Sequence, residues 1–161
     1  MVKILFVCWG NICRSPMAEF IMKDMVAKRH LEHQFLIESA AHTSEEIGNP
    51  VYPPARRELK KHGISCEGKR ARKMTREDYD RFDWIIGMEE LNLRYMLRIL
   101  GGDPENKVRL LLDFCKEGRS GRTRDIADPW YTGEFGKTYA DLVEGCEALL
   151  DYLKEQESWI S

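Results

Sequence analysis

The chain has 161 residues, 43% hydrophobic and 32% charged, with a formal net charge of −2. That length supports one compact domain, residues 1–161, able to bury about 70% of its unfolded surface without staples, and the near-neutral charge argues against nucleic acid or a membrane surface as partner. Five cysteines at irregular spacing make no disulfide framework, and no apolar run approaches the roughly 18 residues of a membrane span.

In chain order, the first element is an apolar strand, Val2–Val7, too short for a signal core. It runs straight into Cys8, then Trp9, Gly10, Asn11, Ile12 and Cys13, then Arg14 and Ser15-Pro16. Ser15 reads as an N-cap and Pro16 as the first position of a helix reaching about Arg29. A strand, a tight loop and a helix N-terminus bring backbone N–H groups together around an anion. The same field favours a thiolate over a thiol, which makes Cys8 the candidate nucleophile. Arg14 adds a planar fork of donors that fits two phosphate oxygens at once, unlike a lysine. Cys66 is also followed six residues later by an arginine, Arg72, but no apolar strand leads into it and no helix start follows. It reads as an ordinary surface or half-buried thiol, so context rather than spacing singles out Cys8.

Further strands are expected at Phe35–Ala40, Trp84–Met88 and Val108–Leu112, all short and nearly continuously apolar, as strands covered on both faces are. Helices are expected over Pro54–His62, ended by Gly63, and over Glu89–Leu100, with Leu93, Met96, Leu97 and Leu100 on one stripe. The last runs over Lys137–Glu155, with apolar residues from Tyr139 to Leu153 at helical spacing. This alternation predicts an α/β fold: an open, twisted, parallel sheet of about four strands, helices on both faces, and a phosphate-binding loop after the first strand. Ligands of such folds sit at the carboxyl ends of strands beside a topological switch point, where Cys8 falls. Two stretches, Arg56–Arg76 and Lys116–Arg124, are basic-rich. They read as solvated faces or as attractors of an anionic substrate.

The longest irregular stretch, residues 113–137, contains Asp128-Pro129-Trp130-Tyr131. A phosphocysteine mechanism needs an acid for the departing oxygen and then a base for water, and one carboxyl group can serve as both. Asp128 is the candidate, with Trp130 and Tyr131 placed to flank an aromatic ring; Asp-Pro as a plain turn opener is the alternative. The four histidines are scattered and no paired C-x2-C occurs, so no metal is expected. No nucleotide-binding glycine motif occurs, and no cofactor is expected.

The run Cys8-Trp9-Gly10-Asn11-Ile12-Cys13-Arg14-Ser15-Pro16, with Asp128-Pro129-Trp130-Tyr131 about 120 residues later, resembles the low-molecular-weight protein tyrosine phosphatases. The likeness extends over essentially the whole chain, including Ser39-Ala40-Ala41 and Lys61-His62-Gly63-Ile64. It implies hydrolysis of phosphotyrosine in a protein or peptide, with inorganic phosphate as product. Cys8 would be the nucleophile, Arg14 the phosphate clamp and Asp128 the acid and base. Ser15 would bond the Cys8 sulfur, and Asn11, Ser39 and His62 would form a buried network under the loop; a surface histidine ending a helix is the alternative for His62. Cys13 is either a protective disulfide partner of Cys8 or a small residue filling the loop. Glu45 stands at a pocket-wall position, where its charge should favour basic flanks around the phosphotyrosine. A cytoplasmic monomer is expected, since a thiolate nucleophile needs a reducing compartment.

Two relatives with the same loop are rivals. Arsenate reductases need two further cysteines mid-chain, and residues 67–114 have none. Protein arginine phosphatases carry threonine where this chain has Ile12. A binding module without catalysis is disfavoured by the joint presence of Cys8, Arg14 and Asp128.

Overall fold

The computed structural model describes residues 1–115 and 124–156. Residues 116–123 of the basic run Lys116–Arg124 therefore lie outside the described residues. Strands β1 (Val2–Cys8), β2 (Phe35–Ala41), β3 (Trp84–Gly87) and β4 (Val108–Leu110) pair in parallel in the order β2-β1-β3-β4. Helices α1 (Arg14–Lys28), α2 (Pro53–Lys61), α3 (Asp78–Arg81), α4 (Glu90–Leu100), α5 (Pro129–Thr132) and α6 (Phe135–Gln156) follow in chain order.

The central strand shows why the sheet needs cover on both sides. Successive side chains of a strand point to opposite faces. Accordingly Ile4 and Phe6 enter one core with Met17, Met22, Leu142 and Leu149, from α1 and α6. Leu5 and Val7 enter a second core with Tyr79, Phe82, Met96 and Leu100, from α3, α4 and the turn between α3 and β3. In the order β2-β1-β3-β4, the chain leaves β1 toward one edge and returns past it toward the other, so the switch point lies between β1 and β3. The loops after these two strands, starting at Cys8 and at Met88, open into one crevice.

The expected α/β architecture is the observed one, with local differences. The fourth strand stops at Leu110, because Leu111–Phe114 turn into a 3-10 segment under α6. Leu97 is exposed, so the buried stripe of α4 is carried by Met96 and Leu100. Helix α1 begins two residues before Pro16, with Cys13 as N-cap and no side-chain cap, which frees the Ser15 hydroxyl for another bond. Cys66, expected at or near the surface, is buried in the first core. The short helices α3 and α5 had no periodic signal in the sequence, four residues being one turn. Among the described residues, no helix is long and apolar enough to cross a membrane.

Candidate active site

A pocket of about 350 Å³ opens at the crevice, lined by the loop Cys8–Arg14 apart from Asn11, by Glu45 and Glu46, by Glu89 and Leu91, and by Asp128, Trp130 and Tyr131. Cys8 lies at its base, at the carboxyl end of β1. The Cys8 Sγ is 3.0 Å from the Ser15 hydroxyl and accepts the Ser15 backbone N–H at 3.4 Å. Both contacts come from Ser15 in the first turn of α1, whose partial positive end is directed at the sulfur.

The loop holds its shape through buried side chains. Asn11 has a left-handed backbone, φ 60°, uncommon outside glycine. Its Nδ2 donates to Ser15 Oγ at 2.8 Å and Ser39 Oγ at 2.9 Å, while its Oδ1 accepts the backbone N–H of Arg72. Ser39 Oγ in turn donates to Glu19 Oε1 at 2.6 Å. Glu19 is buried and paired with Lys23 and Lys69, and Lys69 also donates to the Ser39 carbonyl. Burial pulls the Lys69 ammonium below the ordinary lysine value, although Glu19 opposes the shift. Gly10 leaves space for the Glu46 side chain, since an added Cβ would lie 3.1 Å from Glu46 Cγ.

His62 does not join this network. It bonds Glu58 within α2 and stacks on Tyr139 at 3.7 Å, because the helix ends there and points the ring at α6. The far end of the network is Lys69 and Glu19, neither of which the sequence reading singled out. Glu19 lies three residues after Pro16 in α1, so an acid in the apolar first half of a helix was the available signal.

Arg14 is the largest fully buried side chain, 1% exposed. Its Nη1 donates to the Ile126 carbonyl at 2.8 Å and faces Glu89 Oε2 at 3.1 Å, while Nη2 lies 3.4 Å from Asp128 Oδ2. Burial alone would lower its basicity, but Cys8, Asp128 and Glu89 outweigh that and hold the guanidinium charged. Asp128 caps α5, its Oδ1 accepting the Trp130 N–H, which leaves Oδ2 over the pocket. Trp130 leans on Tyr52, and Tyr131 is 85% exposed at the mouth. Glu45 is held there by the Trp9 indole N–H at 2.9 Å. Cys13 also lines the pocket, its thiol pushed well up by burial and then by the charges of Cys8 and Asp128.

Glu89 is a third residue the sequence reading passed over. It caps α4 in a reciprocal box with Asn92, and β3 at the switch point carries it to Arg14. Beside it lies His42, buried, with burial and then the Arg14 charge holding its imidazole down to about 4 from 6.5. A depressed imidazole contributes stability that is complete above pH 6.5 and lost as the unfolded chain takes up its proton first. Stability should therefore fall between pH 6.5 and 4 by roughly 3 kcal/mol from this group. Urea midpoints measured across that range should show the loss in the wild type and a flatter curve in His42→Leu.

A parallel α/β fold with a cysteine at the carboxyl end of β1, cradled by a helix start and one buried arginine, defines a site for phosphoryl chemistry of the cysteine-nucleophile class. Residues 3–158 match the family described as low molecular weight phosphotyrosine protein phosphatase. The chain is 37% identical over 157 residues to the low molecular weight protein-tyrosine-phosphatase YfkJ of Bacillus subtilis, covering 98% of this chain and 99% of that one. It is 38% identical over 153 residues to the Gallus gallus low molecular weight phosphotyrosine protein phosphatase, covering 92% and 94%. The crystal structure of YfkJ superposes with a TM-score of 0.91 over 98% of this chain and 97% of that one. A solved Drosophila arginine phosphatase, 33% identical, superposes at 0.81 over 95% and 98%. The chain belongs to the low molecular weight phosphotyrosine protein phosphatase family. It is a protein-tyrosine phosphatase, a hydrolase acting on phosphoproteins and releasing phosphate.

Proposed function

We propose that Cys8 is the nucleophile, Arg14 the phosphate clamp and Asp128 the acid and then base in hydrolysis of phosphotyrosine. Cys8 Sγ attacks phosphorus, the bond from phosphorus to the tyrosine oxygen breaks, and Asp128 gives its proton to that oxygen. Water then attacks the phosphocysteine, Asp128 takes a proton from it, and inorganic phosphate leaves with Cys8 restored as thiolate. Arg14 and the start of α1 carry the charge spread over the phosphoryl oxygens, where such loose transition states need it. The supporting observation is that the Cys8 sulfur, held by two contacts with Ser15, lines the same pocket as Arg14 and Asp128. Trp9, Gly10, Ile12 and Cys13 line the pocket in the manner of a phosphate-binding loop, while Asn11 and Ser39 support it from beneath.

Cys8→Ser should abolish turnover of p-nitrophenyl phosphate while still binding phosphate; residual turnover by that variant overturns the assignment. Phosphotyrosine peptides should be hydrolysed in preference to phosphoarginine peptides, for an apolar residue, Ile12, lines the wall. The pocket is lined by Glu45, Glu46, Glu89 and Asp128 against one guanidinium, Arg14, so it repels acidic flanks. Peptides with arginine beside the phosphotyrosine should be turned over about tenfold faster than those with glutamate, a gap that shrinks with salt. We place the enzyme as a monomer in a reducing cytoplasm, where the buried Cys8, Cys13, Cys66 and Cys146 stay free of disulfides.

A further inference from the structure

Behind the pocket wall, three rings are packed as one slab. His42 stacks on Tyr95 at 4.8 Å with 3° between planes, and Trp9 meets both edge-on, at 5.2 Å and 5.6 Å. The His42 backbone N–H donates to the Cys8 carbonyl, and Thr43 ties the same turn to the Trp9 carbonyl. The imidazole is thus fixed against the first residues of the catalytic loop, while its Nδ1 is buried without a partner.

The other ring nitrogen faces Asn92, fully buried, at 3.0 Å from its Nδ2. Asn92 Oδ1 is already committed, accepting the backbone N–H groups of Met88 and Glu89 at 3.0 Å each. The amide can therefore only donate to the ring, so Nε2 is the acceptor and His42 is neutral with its proton on Nδ1. The direction of every bond then follows. His42 fixes the Asn92 amide, the amide fixes the cap of α4, and the cap aims the Glu89 carboxylate at Arg14.

We propose that His42 is a positioning residue for Arg14, acting through Asn92 and Glu89 as a lone-pair anchor and never touching substrate. This rests on Arg14 being the phosphate clamp. The guanidinium is 1% exposed, and among the described groups its plane is set by Ile126, Glu89 and Asp128. A cap that loses its acceptor lets the Asn92 amide turn, releases the Met88 and Glu89 N–H groups, and shifts one of those three partners. The consequence falls on the charge-spread transition state more than on the ground state, because fork geometry matters most there.

The test uses His42→Leu, which removes the acceptor at similar volume, His42→Gln, which restores an oxygen near the Nε2 position, Asn92→Ala, and the double variant His42→Leu/Asn92→Ala. p-Nitrophenyl phosphate gives kcat and KM, while vanadate and inorganic phosphate serve as inhibitors resembling the transition state and the product. His42→Leu should lower kcat about tenfold and weaken vanadate more than phosphate, His42→Gln should recover most of this, and the double variant should be no worse than Asn92→Ala. Equal behaviour of the Leu and Gln variants, unchanged vanadate affinity in His42→Leu, or additive losses in the double variant would overturn the proposal. If His42→Leu does not fold, His42→Gln against Asn92→Ala decides: vanadate affinity kept in the first and lost in the second supports it, and loss in both sinks it. A wild type inactive on every aryl phosphate would instead refute the reading of Arg14 on which this stands.

Discussion

Asp128→Asn is expected to lower kcat on a phosphotyrosine peptide by about 10²–10⁴-fold while leaving the fold intact. Asparagine keeps the side-chain oxygen that accepts the Trp130 N–H, so α5 stays capped and Trp130 and Tyr131 keep their places. On the role proposed for Asp128, what disappears is the proton that Oδ2 would deliver to the leaving oxygen and later take from water. The two steps should separate by leaving group. p-Nitrophenol is a better leaving group than a tyrosine side chain, whose phenol has a pKa of about 10. Formation of phosphocysteine should therefore suffer less with p-nitrophenyl phosphate than with the peptide. Its hydrolysis still lacks a base, so stopped-flow traces should show a burst of nitrophenol equal to the enzyme present. An unchanged kcat on the peptide would transfer the proton to another carboxylate, and Glu89, the other acid on Arg14, is the one to replace next.

The second large effect concerns stability. Glu19→Ala should cost about 3–5 kcal/mol in urea unfolding and lower kcat as well, because a buried charge pair broken from one side leaves the other charge uncompensated. Without Glu19, the Lys69 ammonium keeps only the Ser39 carbonyl, and the Ser39 hydroxyl has no acceptor. Asn11 then loses the anchor that holds its left-handed turn under Cys8. Lys69→Met should cost less, since Glu19 keeps Lys23 at 2.6 Å and the lysine already sits where burial disfavours its charge. The reverse order of the two losses would show that the lysine, not the carboxylate, organises the loop.

The pocket residues legible in sequence are those whose position is carried by their immediate neighbours. Cys8 and Arg14 stand out because a buried strand, a tight loop and a proline-opened helix follow one another without a break. Asp128 is legible for the same reason, its Pro-Trp-Tyr run forming the cap and wall in one turn. Ser15 shows the limit of local reading. A serine before a proline at a helix start looks like a cap, yet the helix begins earlier and the hydroxyl meets the Cys8 sulfur. His62 shows it again: the sequence makes it the last residue of a helix, α2 ends one residue before it, and its partner is Tyr139 on α6 rather than the loop.

Sequence by itself determined the parallel α/β class, the identity of the strand that ends in Cys8, and the helix start that makes an anion site there. These depend on apolar runs and turn residues within a dozen positions of one another. Only the tertiary structure decided what surrounds that site: Glu89 and Ile126 on Arg14, Lys69 on Glu19, and His42 on Asn92. The switch point between β1 and β3 brings Arg14 and Asp128, 114 positions apart, into one crevice. No periodicity records such pairings, because each is fixed by the burial of a polar group that must find its partner wherever the folded chain supplies one.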